Sequence, residues 1–276
     1  RNVVTAGQGG TAKFLQEGTY KYIPYNRLFR RTEFLEIDHF GRFEVYANRD
    51  SLKYQNIYGL ENIKTLYRGT IRRVGFSRAW HIFVSLGMTD DSYIIEDSEN
   101  MSYRDFINAF LPYSPSDSVE LKLRHQLKID QDDIVWDKLV ELDLFNPSKR
   151  IELKKATPAQ ILQKILMDSW TLSKDDKDMI VMYHKFGYEL QGKKYQIDAN
   201  MVVIGEDQRY TAMAKTVGLP VAIATLAILN KKIKTPGVQI PVKKEIYEPI
   251  LAELETYGII FKEQELQYHG YNPLNY

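Results

Sequence analysis

The sequence contains no cysteine, and this absence removes several kinds of chemistry at once. Without a thiol the chain forms no disulfide, uses no thiolate nucleophile and holds no zinc or iron–sulfur cluster through sulfur. Long apolar runs are also missing, since none approaches the roughly 20 residues that a membrane span requires. Neither charge sign is in excess, because 37 Lys and Arg stand against 36 Asp and Glu in interspersed positions. We therefore expect neither a membrane partner nor a nucleic-acid partner.

Sequence motifs for nucleophilic catalysis and metal binding are missing as well. There is no Gly-x-Ser-x-Gly elbow, and the histidines show no metal-ligand spacing, so we expect no metal site. His184, which lies between Tyr183 and Lys185 in a predicted strand, is the one histidine retained as a site candidate, although a structural role is favoured. Residues 6–10, Ala-Gly-Gln-Gly-Gly, suggest a phosphate-binding loop. Too few residues precede Gly7 for the strand that a dinucleotide site needs, so we expect no cofactor site in this chain.

The hydrophobic pattern predicts strands, then helices, then strands and helices again. A hairpin is predicted over 33–37 and 42–46, and helical periodicity runs from 74 to 170, with Thr157 as an N-cap before Pro158. A second hairpin is predicted over 179–190 and 195–204. A helix that begins at Thr211 is expected to break or kink at 218–220, Gly-Leu-Pro. The remaining predictions are a helix over 221–229, a strand over 238–241, a helix over 244–257 that stops at Gly258, and a strand over 259–262.

Four stretches resemble the saccharopine dehydrogenase (glutamate-forming) family. Residues 46–51, Tyr-Ala-Asn-Arg-Asp-Ser, resemble the family's Tyr-Pro-Asn-Arg-Asp-Ser segment, with Ala47 in place of its proline. Residues 68–72, Arg-Gly-Thr-Ile-Arg, resemble its Arg-Gly-Thr-Leu-Arg run. Residues 177–182 are similar to the strand that re-enters the α/β domain, and 210–220 with 245–251 are similar to the C-terminal helices. Because the stretches occur in order over residues 1–264, together they are more specific than a lone motif.

The resemblance implies an α/β fold with a mixed-sheet substrate and dimerisation domain, similar to the C-terminal domain of glyceraldehyde-3-phosphate dehydrogenase, and an inserted all-helical domain. The implied ranges are 1–70 with 171–264 for the α/β domain, 71–170 for the helical insertion and 265–276 for a tail. The family's N-terminal Rossmann domain has no counterpart in this chain. We therefore expect the chain alone to bind no cofactor and to be inactive.

The implied parent activity is that of an oxidoreductase of lysine metabolism. Such an enzyme interconverts L-saccharopine with L-glutamate and α-aminoadipate semialdehyde, using NAD or NADP. The sequence fixes neither the choice of nucleotide nor the physiological direction. The resemblance further implies a homodimer. The chain opens without a basic-then-apolar signal pattern, and we expect a cytoplasmic protein.

The family's substrate contacts carry over by resemblance to Arg1 and to the tripeptide Tyr22, Ile23 and Pro24. A guanidinium suits one of the three carboxylates of saccharopine, because it forms two parallel charge-assisted hydrogen bonds. A tripeptide adds backbone contacts, except that Pro24 has no N–H. Asn48 and Arg49 are further residues expected near the substrate, with loop-structural bonding as the alternative. No catalytic acid or base is identified.

Two other functions stay open at this point. Carboxynorspermidine dehydrogenase, a relative that reduces a Schiff base in polyamine synthesis, is the nearest in chemistry, and the long helical segment favours saccharopine. The other is a non-catalytic binding or dimerisation module. An upstream Gly-x-Gly-x-x-Gly sequence in the same reading frame would favour the enzyme over the module.

Overall fold

The computed structural model describes residues 2–5, 10–268 and 270. These fall into two units. Unit 1 contains the described residues up to Leu52 together with Lys64–Thr171, and unit 2 contains Lys53–Ile63 together with the described residues from Leu172 onward.

Unit 1 begins with strands and continues as helices. Its elements in chain order are α1 (Asn2–Thr5), β1 (Thr11–Gln16), β2 (Thr19–Pro24), α2 (Tyr25–Leu28), β3 (Thr32–Ile37), β4 (Gly41–Ala47), β5 (Gly69–Arg73), α3 (Phe76–Leu86), α4 (Tyr103–Asn108), α5 (Val119–Leu127), α6 (Ile134–Glu141) and α7 (Pro158–Trp170).

The strands of unit 1 form two small antiparallel sheets, one of β1 and β2 and one in the order β3-β4-β5. The predicted hairpin over 33–46 is confirmed by β3 and β4, and His39 and Gly41 in its turn both take positive φ angles. One hydrophobic core joins these strands to the helices, since Phe14 of β1 and Phe106 of α4 belong to the same buried cluster. Unit 1 is therefore held together by burial that spans strands and helices alike.

The helix starts of unit 1 follow ordinary capping chemistry. Thr157 and Gln160 form the capping box of α7, with Pro158 at its first turn, as the sequence predicts. Asp133 caps α6 by accepting the N–H of Val135. At α3 the cap comes from another element, because the buried carboxylate of Glu44 on β4 accepts the N–H groups of Gly75 and Ser77. No strand interrupts the described residues between α3 and α7, so the predicted helical middle is confirmed.

Unit 2 contains a three-stranded antiparallel sheet and two helices. Its elements are β6 (Met179–Leu190), β7 (Lys193–Ile204), α8 (Ala212–Leu229), α9 (Lys244–Thr256) and β8 (Lys262–Gln267). The predicted hairpin is confirmed, with a tighter turn than expected, because Gln191 and Gly192 alone connect the strands and both have positive φ. The helix predicted over 244–257 is confirmed as α9.

The predicted break at 218–220 is wrong, because α8 continues through Pro220. Leu219 and Ile223 pack against Met201 and Val203 of the sheet, and this burial offsets the backbone hydrogen bond that proline removes. Among the described residues, the continuous 18-residue helix is long and apolar enough to cross a membrane by length and composition, with a mean hydropathy of 1.8. The sequence-based expectation that no apolar segment of this length exists is therefore corrected. A helix that packs against another protein subunit has a similar apolar composition.

Two other expectations for the C-terminal region are corrected. The strand predicted over 238–241 does not form, and Pro241 in this stretch lacks the N–H that a ladder needs. The last strand begins at Lys262, three residues later than predicted, and pairs with β7 as far as Gln267. The predicted tail, 265–276, therefore begins inside β8.

The α/β class is confirmed in its coarse form, with one correction. The sheet was expected to be mixed, yet every pair of named strands is antiparallel in the part of the chain that the structure describes. The two units also divide the chain at other positions than the predicted domains, since β1, β2 and β4 contribute to one core with the helices. The predicted domain ranges stay a prediction.

Candidate functional site

The tripeptide that was predicted to bind substrate lies at the end of β2. Tyr22 is 59% exposed and Ile23 is 4% exposed, as expected for neighbouring residues on opposite faces of a strand. Pro24 ends the strand and precedes α2 as its N-cap residue. Ile23 therefore anchors the tripeptide in the core, and Tyr22 presents its side chain outward.

The backbone of β2 forms the outer edge of its sheet. On one side β1 pairs with β2, and on its other side β1 bonds to residues of two loops, with Lys13 N donating to Arg49 O at 2.8 Å and Leu66 N donating to Leu15 O at 2.9 Å. Within the described residues the ladder of β2 runs only to β1. Alternate N–H and C=O groups of β2 thus point away from the sheet, in the arrangement that binds extended ligands.

Asn48 and Arg49 lie in a loop that bonds directly to this sheet. Lys13 faces Tyr22 in the ladder of β2, and on its other side its N–H bonds to Arg49 and its C=O accepts Ser51 N at 2.8 Å. Lys13 pairs with Asp50 on that side, so Tyr22, Lys13 and Asp50 stand in one row with a spacing of about 4.8 Å between neighbouring strands. Arg49 directly precedes Asp50 in the loop. The structure brings the predicted tripeptide and the predicted loop together on either side of Lys13.

The rest of the Asn-Arg-Asp-Ser stretch supports this loop. Asp50 accepts the N–H of Leu52 at 3.0 Å and pairs with the Lys13 ammonium at 3.7 Å. The buried hydroxyl of Ser51 accepts the N–H of Arg68 at 3.0 Å, and Asn48 N donates to Arg68 O at 2.7 Å. The two sequence stretches singled out above thus bond to each other. Their backbone contacts are structural, and the exposed side chain of Arg49 is free to meet a ligand.

Gly69 in the second stretch is required for close packing. A Cβ placed on it would lie 2.3 Å from Cγ1 of Val45, far inside contact distance. The glycine therefore permits β5 to approach β4 at the point where both loops meet, which explains its place in the stretch without a role in binding.

Several residues singled out in the sequence lie outside the described part of the chain. These are Arg1, residues 6–9 of the glycine-rich stretch and His269. The role of Arg1 as a substrate ligand stays a prediction. The expectation that residues 6–10 form no cofactor site also stays a prediction. Two cavities, of about 670 Å³ in unit 1 and 590 Å³ in unit 2, contain none of the predicted tripeptide in their linings.

Tyr25, which directly follows the tripeptide, was not singled out from the sequence. Its hydroxyl is buried and has no hydrogen-bond partner within the described residues, so it retains a hydrogen to donate. Its ring packs edge-on against Phe29 at 5.9 Å, and Phe29 packs on Tyr46 at 4.8 Å. Burial raises the pKa of Tyr46, and the nearby Arg72 guanidinium opposes that rise. No sequence pattern marks Tyr25, because an unpaired hydroxyl becomes visible only when the packing is known.

His184, the retained histidine, is a packing residue of β6. Its imidazole stacks on Phe186 at 5.9 Å between ring centroids and contacts Phe261 at 5.4 Å. These rings cover part of the imidazole, whose residue stays exposed, and the partial loss of hydration of the charged form lowers the pKa of His184. In the described part of the chain, no group of three acidic or histidine side chains could hold a metal ion.

His184 gives a testable dependence of stability on pH. Its pKa is lowered on folding from an unfolded value of about 6.5, so its contribution is fully present above roughly pH 6.5 and is lost as the pH falls through the folded pKa. We expect the free energy of unfolding of His184→Phe to fall less than that of the wild type over this range. Urea titrations at several pH values measure the two slopes, with exposed His125→Phe as the matched control. Parallel slopes for wild type and His184→Phe would contradict the assignment. His81, whose pKa is also lowered by burial and by Arg30, leaves a residual slope in both.

The fold is that of an α/β protein with a helical region, and β2 has an open edge within the described residues. A family model described as the saccharopine dehydrogenase C-terminal domain matches residues 1–259. The chain belongs to the saccharopine dehydrogenase family and contains its C-terminal domain.

Individual relatives agree with this assignment. The chain is 34% identical to the mitochondrial alpha-aminoadipic semialdehyde synthase of Rattus norvegicus, over 80% of this chain and 24% of the relative. It is 28% identical to the NADP(+), L-glutamate-forming saccharopine dehydrogenase of Schizosaccharomyces pombe, over 92% of this chain and 58% of that protein. An apo structure of the Saccharomyces cerevisiae enzyme superposes with a TM-score of 0.83 at 27% identity, covering 96% of this chain and 60% of the other. The chain thus spans between a quarter and three fifths of these relatives.

Proposed function

We propose that this chain is the substrate-binding part of an oxidoreductase that interconverts L-saccharopine with L-glutamate and α-aminoadipate semialdehyde in lysine metabolism. The observation that carries the proposal is the match of the saccharopine dehydrogenase C-terminal domain over residues 1–259. The names of the fungal relatives, which specify saccharopine and glutamate, support this choice of substrate.

The chemistry of the β2 edge fits such a substrate. Saccharopine carries three carboxylates and ammonium groups, so it needs cationic side chains and backbone donors. The edge supplies the outward N–H groups of β2, with the Lys13 ammonium on β1 and the exposed Arg49 in the loop that bonds to the other side of β1. We propose Tyr22, Ile23 and Pro24 as substrate contacts on this edge, with Asn48 and Arg49 close to the substrate. Arg1 is proposed as the bidentate partner of one carboxylate.

The nicotinamide nucleotide does not fit the residues of this chain. A dinucleotide site needs a parallel βαβ unit with a glycine-rich turn, and all pairs of named strands in the described ranges are antiparallel. We propose NADP as the cofactor of the whole enzyme, because two fungal relatives carry it in their names. It would bind to another part of that enzyme. The physiological direction and a cytoplasmic location stay predictions, and the rat relative is described as mitochondrial.

We also propose a homodimer, supported by the exposed apolar face of α8. Met213, Val217 and Val221 recur at every fourth position and each is more than half exposed. A soluble monomer rarely leaves such a face open to water, whereas a second copy would cover it. We also propose that the α/β domain, residues 1–70 with 171–264, is similar to the C-terminal domain of glyceraldehyde-3-phosphate dehydrogenase. Residues 71–170 are proposed to form the inserted helical domain.

The test is a substrate comparison on an active protein that carries this chain. We expect NADP-dependent oxidation of saccharopine, with carboxynorspermidine a much poorer substrate because its cationic polyamine part suits the basic edge badly. The 276-residue chain alone is expected to bind neither NAD⁺ nor NADP⁺ in calorimetric titration and to turn over no saccharopine. Preference for carboxynorspermidine would replace the proposal with the polyamine alternative. Binding without turnover by a protein that holds bound NADP would favour the non-catalytic module.

A further inference from the structure

A cavity lies on the helical side of unit 1, apart from the edge of β2. The cavity has a volume of about 670 Å³, which is within the usual range for small-molecule sites. Its floor is the outer face of α7, whose opposite face buries Ile161, Leu162 and Ile165 completely. The lining contains none of the residues proposed to bind saccharopine.

The wall of this cavity is fixed by buried hydrogen bonds. The hydroxyl of Ser98, which is fully buried, donates to Leu153 O and accepts the N–H of Ala156 at 3.1 Å. Ile95 N donates to Ala156 O at 2.9 Å, and Ala159 N donates to Asp90 O at 2.9 Å. The segment 153–157 is therefore held in place without a ligand, and binding there would need little ordering of the backbone.

Three of the four charged side chains at the cavity have no partner in the part of the chain that the structure describes. Lys154, Lys164 and Asp91 line it, and none of the three takes part in an ion pair or a side-chain hydrogen bond within the residues that the structure describes. A fourth charge, Asp168, is oriented by the hydroxyl of buried Tyr103. A charged side chain on a protein surface is ordinarily surrounded by water. Here two lysines and two aspartates line the same cavity.

We propose that this cavity binds an acidic α-amino acid. Lys154 and Lys164 face its two carboxylates, and Asp91 faces its α-ammonium group. A ligand of one charge sign would meet repulsion from part of the lining, whereas a zwitterion with an extra carboxylate matches both signs. The site is a second one, independent of the saccharopine proposal.

The experiment compares L-glutamate with glutarate, which has the same two carboxylates and no ammonium. Calorimetric titration of the full chain is expected to show binding of both, with glutamate the tighter. Lys164→Met is expected to weaken both ligands by about tenfold or more, and Asp91→Asn to weaken glutamate by about tenfold while leaving glutarate unchanged or tighter, because each change removes one charged hydrogen bond.

Matched controls come from the same unit. Lys155→Met and Asp132→Asn change exposed residues that do not line the cavity, and both should leave binding unchanged. Lys154→Met replaces Lys164→Met if the latter fails to unfold cooperatively in urea. Absence of glutamate binding at millimolar concentrations, an equal effect of Asp91→Asn on both ligands, or an equal effect of Lys155→Met and Lys164→Met would overturn the proposal.

A further variant distinguishes the two sites. Arg1→Ala should leave glutamate binding at the cavity unchanged, whatever it does to saccharopine. Loss of glutamate binding in Arg1→Ala and its retention in Lys164→Met would assign glutamate to the saccharopine site alone. Conversely, a failure of saccharopine turnover would leave the cavity result standing.

Discussion

Replacing Gly205 by alanine is expected to lower the free energy of unfolding by about 2–4 kcal/mol, as the sum of overpacking and a lost helix cap. The new Cβ would lie 2.2 Å from Oδ1 of Asp178 and 2.9 Å from the backbone N of Ala212. The Asp178 carboxylate accepts the N–H of Ala212 at 2.6 Å and that of Met213 at 2.9 Å, at the start of α8. Alanine would displace this carboxylate and open the first turn of the helix.

Urea unfolding of wild type and variant measures the effect, and Gly218→Ala is the matched control. Gly218 lies inside α8 with open space around its Cα, so alanine there should stabilise by about 0.5–1 kcal/mol. A double variant tests the mechanism, because Asp178→Ala should add little once Gly205→Ala has displaced the carboxylate. Equal stabilities of Gly205→Ala and wild type would show that the contact relaxes without cost.

Replacing Arg1 by alanine is expected to weaken saccharopine binding about tenfold to over a hundredfold, since a bidentate charged contact contributes roughly 1.5–3 kcal/mol. Arg1→Lys should restore little, because an ammonium lacks the planar fork that grips a carboxylate. Steady-state kinetics on an active protein that carries this chain give KM and kcat for both variants. Arg49→Ala should cost less, as its side chain is exposed.

Arg42→Ala, on the exposed β3–β4 hairpin, is the control for a general change of charge. Unchanged KM and kcat in both Arg1 variants would remove Arg1 from the site. Equal losses for saccharopine and carboxynorspermidine would show that Arg1 grips only what those substrates share, and the preference for saccharopine would lose that support.

The local patterns predict well wherever one element carries its own signal. Thr157 followed by Pro158 fixes the start of α7, and the Gln-Gly turn fixes the hairpin of β6 and β7, because caps and turns depend on neighbouring residues. Pro220 is the contrary case. Its local preference is to end a helix, and packing of Ile223 against the sheet overrides it. Such tertiary compensation leaves no mark within a short window of sequence.

The candidate site likewise contains residues that the sequence predicts and residues that only the fold reveals. Resemblance selects Tyr22 and Arg49, but only the fold shows that Lys13 of β1 lies between β2 and the loop that contains Arg49. Tyr25 and the charges at the α7 cavity were missed, since an unpaired hydroxyl or an unpartnered lysine is defined by what surrounds it. The expected mixed sheet was wrong for a related reason, because strand direction depends on long-range pairing.

The short segment Lys53–Ile63 belongs to unit 2, although the chain on either side of it belongs to unit 1. It contains the stacked pair Tyr54 and Tyr58, and its residues 56–59 line a cavity with Pro241, Val242 and Tyr247. On the ribosome this segment emerges long before those partners are made. Unit 1 can assemble before this segment finds its partners, and unit 2 can close only after Tyr247 has been made. A fragment that begins at Leu172 would lack Lys53–Ile63. Unit 2 expressed in this way would therefore be incomplete.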